Sequence, residues 1–167
     1  MNIKSVYSTK ESIDNVVSDI KNQLAGFDIK LLIFFASSVY SPEDLSKSMQ
    51  EGFSDAVVFG CSTAGEIVSG KVLKNSVVAM AFNSEVIADV KLELVENIKN
   101  NGDVKNAFRA FDEYYGESIS NAEFNKYVGI ILIDGLSASE EKIMDKIGDQ
   151  TNCIFIGGSA GDDLKFS

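Results

Sequence analysis

Apolar residues in this chain gather into short unbroken runs, separated by stretches where they recur every three or four positions. Leu31–Ala36, Ala56–Phe59, Val77–Phe82, Val128–Ile133 and Cys153–Ile156 are apolar throughout, rich in β-branched or aromatic residues, with turn formers nearby. That pattern predicts strands buried on both faces of a sheet. Ala88–Leu94 alternates apolar and charged residues instead, which predicts a half-exposed strand. It follows Val77–Phe82 across Asn83-Ser84-Glu85, so the two are expected to pair as an antiparallel hairpin. Ile3–Tyr7 is expected to add a short edge strand.

Helical spacing fills the intervals. Ile13, Val16, Val17, Ile20 and Leu24 share one face, with Ser8 and Glu11 at capping-box spacing ahead of them or Thr9 as the cap. Ser41-Pro42 reads as an N-cap followed by proline at the first helical position, and Leu45, Met49 and Phe53 continue that helix. Asp103 can cap a helix carrying Val104, Ala107, Phe108, Phe111 and Tyr115. Ser137 and Glu140 repeat the capping-box spacing before Ile143, Met144 and Ile147.

The order of these elements contains an echo. Leu31–Gly60 runs strand, Ser-capped helix, strand, glycine, and Val128–Gly157 does the same over the same length. Strand–helix–strand units of this size form parallel crossovers. The fold class expected is therefore α/β: a mixed, mainly buried β-sheet flanked by helices, with two similar strand–helix–strand units. Each unit ends in a loop of glycine, hydroxyl and acidic residues, at the carboxyl end of a strand where open α/β sheets bind ligands.

Composition narrows the chemistry. The 167 residues are 45% hydrophobic and 24% charged, suited to one globular domain, and the 15 basic and 25 acidic residues leave a net charge of −10. A phosphate backbone would be repelled, which argues against nucleic acid. No apolar run is long enough to span a membrane, and the polar start lacks a secretory signal, so a cytoplasmic protein without membrane insertion is expected. Histidine is absent. No Ser-His or Cys-His dyad and no His-ligated metal or haem can form within these residues, and two cysteines cannot build a four-cysteine site. No cofactor, metal or catalytic residue is expected.

Motifs of known chemistry fail on single residues. Gly60-x4-Gly65 has P-loop glycine spacing, but Glu66 stands where lysine is required. Gly65-x4-Gly70-Lys71 has the lysine, but Val72 replaces the hydroxyl that holds magnesium. Gly157-Gly158-Ser159-Ala160-Gly161 matches a nucleophile elbow without a histidine to serve it. What the two loops offer is recognition. Their glycines let backbone N–H groups approach a ligand; Ser62, Thr63 and Ser159 supply hydroxyls; Glu66, Asp162 and Asp163 supply charge. N–H and hydroxyl groups suit a carboxylate and the acids suit an ammonium, so an amino-acid-like zwitterion would satisfy both. Cys61 and Cys153 sit at opposite ends of equivalent strands, about 15 Å apart in level if the units are parallel, and two free thiols are expected.

Phe59–Ile67 (FGCSTAGEI) resembles the hallmark of FIST N-terminal domains, and Ile156–Asp163 (IGGSAGDD) resembles their second signature, in the family's order and approximate spacing. The resemblance covers nearly the whole chain. It implies an intracellular sensor of a small ligand, found beside signalling outputs such as chemotaxis receptors, kinases and cyclic-dinucleotide enzymes. It also implies a domain spanning 1–167 that continues past Ser167 and is followed by a C-terminal FIST domain. The expected function is non-catalytic sensing, with Cys61, Ser62, Thr63, Gly65, Glu66, Gly157, Gly158, Ser159, Asp162 and Asp163 lining the site. Two alternatives stand beside it. One is a protein–protein interaction module with no pocket. The other is a hydrolase-like enzyme using Cys61 or Ser159 with a base outside the chain.

Overall fold

The structure, a computed structural model, describes residues 1–100, 102–122 and 125–161. The chain folds as two compact units: Met1–Val90 together with Gly161, and Lys91–Ala160. The architecture is α/β in both.

In the first unit the elements run β1 (Ile3–Ser8), α1 (Ile13–Gln23), β2 (Leu31–Ser37), α2 (Pro42–Gly52), β3 (Val57–Thr63), β4 (Glu66–Val68), β5 (Lys71–Leu73) and β6 (Val77–Phe82). Four strands form one mixed sheet in the order β1-β6-β2-β3. β2 and β3 are parallel, in register from Leu31↔Val57 to Ser37↔Thr63, and β6 runs antiparallel to both β1 and β2. Val16, Val17 and Ile20 of α1, its C-cap Leu24, and Leu45 and Met49 of α2 pack with Leu32, Phe34, Ala36, Ala79 and Ala81 of the sheet. Ser41 caps α2 as its spacing predicts, accepting from the Asp44 N–H at 3.3 Å, with Pro42 opening the helix. α1 differs from expectation. Its N-cap is Ser12, accepting from Asn15 N–H, because Ser8 remains in β1, where its hydroxyl donates to Asp19. β4 and β5 form a hairpin across Ser69-Gly70, with Gly70 at φ 76°. A Ser-Gly pair between two short apolar segments is the signal for it, and the strand pattern alone passes over it.

The second unit contains α3 (Val104–Tyr115), β7 (Val128–Asp134), α4 (Glu140–Gly148) and β8 (Ile154–Ala160), with short 3₁₀ turns between. Asp103 caps α3 as predicted. β7 and β8 are parallel and pair from Val128↔Ile154 to Asp134↔Ala160, the same register relation as β2 and β3. The two strand–helix–strand units inferred from sequence are thus present. The expectation of strands buried on both faces holds for β2, where only Phe35 is even partly exposed. It does not hold for β8, where Ile154 and Ile156 are 58% and 57% exposed. Ile131, Ile133 and Phe155 pack on Val104, Phe108, Ile143 and Ile147 of the helices, so alternate residues of β8 lie outside that core.

Two further expectations are corrected. Ala88–Leu94 is not a strand and does not pair with β6, because β1 and β2 already occupy both edges of β6. The capping box assigned to Ser137 and Glu140 does not form. Ser137 lies in a 3₁₀ turn, and α4 starts after Ser139, which makes no side-chain cap bond.

The glycines at the ends of the apolar runs also do something other than turn the chain. Gly60 and Gly157 lie inside β3 and β8, opposite Phe34 and Ile131. A Cβ at Gly60 would sit 2.2 Å from the Phe34 carbonyl oxygen, and one at Gly157 would sit 1.7 Å from that of Ile131. The strands approach too closely for any side chain. Gly60→Ala is therefore expected to lower unfolding free energy by about 1–3 kcal/mol through forced strand separation, measured by urea denaturation.

Candidate functional site

Because β3 and β8 continue through their glycines, most of the predicted binding residues are strand residues. Cys61, Ser62 and Thr63 belong to β3, and Glu66 opens β4 after the two-residue step Ala64-Gly65. Gly157, Gly158 and Ser159 belong to β8 in the second unit. Asp162 and Asp163 lie outside the described residues. Gly161, which packs with the first unit, donates its N–H to the Ser62 carbonyl at 3.0 Å.

Glu66 is 1% exposed. Its carboxylate accepts hydroxyl hydrogen bonds from Thr63 at 2.8 Å and from fully buried Ser76 at 2.5 Å. It is thus an internal acceptor at the carboxyl end of the sheet rather than a solvated loop acid. Tyr40 lies close enough to feel the charge of this centre. Its phenol oxygen is 2.7 Å from the Lys10 carbonyl and 3.0 Å from the Asn75 carbonyl. Burial first, then the negative charges of Glu66 and Glu11, push its ionisation above the usual tyrosine range, so it remains a neutral donor. Sequence reasoning missed Tyr40 and Ser76, since the partners of each are remote in the chain.

Beside Tyr40 the first unit has a cavity of about 420 Å³ between the amino ends of α1 and α2. Its walls include Glu11, Ser12 and Asp14 on one side and Tyr40, Ser41 and Asp44 on the other. No lysine or arginine lines it. Ser12 and Ser41 already accept the N–H groups of their own helices, which leaves their hydroxyl protons to be given outward.

The two candidate nucleophiles are poorly placed for attack. Burial pushes the Cys61 thiol up, away from the thiolate form. Ser159 donates to the Glu140 carboxylate at 2.8 Å. Glu140 is held below the usual carboxylate range by its own backbone N–H first and by Ser159 next, which weakens it as a base. Both cysteines are free thiols. Among the described residues, no group of three or more Cys, Asp or Glu side chains could hold a metal ion, and no helix is long and apolar enough to cross a membrane.

A family model, the FIST N domain, matches residues 30–167. The chain belongs to the FIST family. FIST domains are regarded as sensory domains of signalling proteins. No curated protein and no solved structure gives a significant match. The matched span includes both signature segments of this FIST chain and begins at the residue before β2, so it takes in both strand–helix–strand units.

Two outcomes follow for the FIST site. With its ionisation displaced upward, Cys61 is expected to react with iodoacetamide at pH 8 more slowly than an unperturbed peptide thiol and to gain rate only at higher pH, as mass spectrometry of the alkylated peptide would show. Glu66→Ala strands the buried Ser76 hydroxyl and is expected to cost about 1–3 kcal/mol in chemical denaturation, whereas Glu66→Gln keeps an acceptor and should cost less.

Proposed function

We propose that this FIST domain is a non-catalytic receptor for a small metabolite bearing an ammonium group, an amino acid or close relative, in a cytoplasmic signalling protein. The observation that carries the reading is the cavity between α1 and α2. It presents three carboxylates from Glu11, Asp14 and Asp44 and no basic side chain. A cation entering there meets three acidic side chains and no basic one, with the amino ends of the two helices offsetting only part of that charge. The carboxylates are not gathered closely enough for a metal ion, which favours a larger organic cation. The outward hydroxyls of Ser12 and Ser41 can donate to the carboxylate of the same ligand, so a zwitterion is served at both ends. The volume lies within the range usual for small-molecule sites.

Non-catalytic binding is supported by the raised Cys61 thiol and the weakened Glu140 base, neither of which suits covalent catalysis. In this reading Glu66 does not touch the ligand. It fixes Thr63 and Ser76 and acts on Tyr40, which lines the cavity, through its charge. A C-terminal FIST domain and a signalling output would read the occupied state. A second reading, an interaction module, draws on the β4–β5 hairpin, where the paired residues Ile67 and Val72 are 77% and 79% exposed.

A thermal-shift screen of amino acids and small amines tests the proposal, since a ligand that binds the native state raises its melting temperature. At least one ammonium metabolite is expected to do so. Asp44→Asn and Glu11→Gln should each weaken it about tenfold or more by calorimetry, through loss of a charge-assisted contact. A screen with no stabilising compound overturns the reading. Unchanged affinity in both variants removes the cavity from it.

A further inference from the structure

The contacts of Tyr40 bridge two segments that leave the sheet beside one another, where Ser8 of β1 pairs with Val77 of β6. On one side the phenol faces the Lys10 carbonyl, in the segment that leads into Glu11, Ser12 and the cavity wall. On the other it faces the Asn75 carbonyl, at the exit of the β4–β5 hairpin. A phenol has one proton, so it donates to only one of these carbonyls at a time. The two acceptors thus compete for that proton, and because Lys10 and Asn75 are both exposed residues, the carbonyl that loses the phenol can turn to water.

The hairpin is fastened at its root by the residues next to Asn75. Ser76 donates to Glu66, so the residue that begins β4 is tied to the residue that precedes β6. Thr63 donates to the other carboxylate oxygen and ties the same root to the end of β3. Asn75 itself has φ 51°, a left-handed conformation uncommon for a residue with a side chain, so its carbonyl is aimed by an unusual turn. Farther out, Lys71 of β5 reaches Tyr7 of β1, donating to its hydroxyl at 2.6 Å. The hairpin is held by polar contacts at both places, which are directional and can be exchanged singly, unlike a packed core.

We infer that Tyr40 is a two-position latch that couples the wall of the α1–α2 cavity to the root of the β4–β5 hairpin. The inference rests on the cavity being the ligand site and adds how occupancy is passed on. A ligand that draws the Lys10–Asp14 segment inward or outward changes the Lys10 acceptor, moves the phenol proton toward or away from Asn75, and so tightens or loosens the hairpin. The necessary asymmetry is present, because each acceptor belongs to a different segment and both compete for one proton.

The test is hydrogen exchange of the whole chain, read by mass spectrometry without any ligand. Tyr40→Phe keeps the buried ring and removes the proton. The amides of 66–73 and those of 11–15 are both expected to exchange faster, by up to about tenfold as the loss of one hydrogen bond shared between the two segments allows, while α3 in the second unit is unchanged. No change in the hairpin, or an equal rise throughout the chain, overturns the latch. Should Tyr40→Phe fail to fold, Ser76→Ala reads the coupling from the other end. Faster exchange in both the hairpin and 11–15 supports it, and an effect confined to the hairpin overturns it. Because no ligand is present, a failed latch is distinct from a failed ligand site: the screen can succeed where the latch fails, and the latch can hold where no metabolite binds.

Discussion

Everything in the first unit hangs on how closely β3 lies along β2. At Gly60 the backbones approach within a distance that leaves no room for a Cβ against the Phe34 carbonyl. That approach lets the parallel ladder run three residues farther, to Ser37↔Thr63, and carries Cys61, Ser62 and Thr63 into the sheet. With Thr63 fixed, Glu66 is delivered only three residues later to a buried position where Thr63 and Ser76 can reach it. The second unit repeats the device at Gly157 opposite Ile131, with the same consequence for Ser159. The two signature segments are alike because each solves the same packing problem at the end of a parallel strand pair.

A buried carboxylate with hydroxyl partners is a particular choice. Burial first, and then this negative charge together with that of Glu11 on the cavity side, keeps the Tyr40 phenol in its proton-bearing form. Tyr40 therefore stands between an acid that belongs to the fold and one that faces the cavity. In the proposed function, structural and recognition roles that the sequence places on one short motif are divided between the motif and the ends of α1 and α2.

The parts legible in the sequence were those set by neighbours along the chain. The apolar runs marked β2, β3, β6, β7 and β8, and Ser41-Pro42 and Asp103 marked their helices, because strand burial and capping are local. The parts that were not legible depend on distant partners. Ala88–Leu94 has the right alternation for a strand, but alternation says nothing of whether an edge is free, and β1 had taken it. Gly60 and Gly157 read as loop glycines that open the backbone to a ligand, because a glycine that lets a ligand approach and one that lets a neighbouring strand approach look identical in sequence. Tyr40 and Ser76 carry no motif at all; their importance is a matter of which carbonyl or carboxylate the fold brings to them.

The position of β6 between β1 and β2 sets a condition on how the unit can assemble. The first strand of the chain has no partner until the last one arrives: Ile3 pairs with Phe82, and no other strand of the sheet touches β1. Emerging from a ribosome, β2, α2 and β3 can form their crossover early, but β1 must wait through the synthesis of nearly the whole unit. Closing so long a span costs entropy before it returns any contact energy, which places the unit among topologies that fold slowly. Until Val77–Phe82 inserts, the apolar edge of β2 is open to whatever other strand it meets, so the interval before β6 docks is the one in which this chain is most exposed to misassembly.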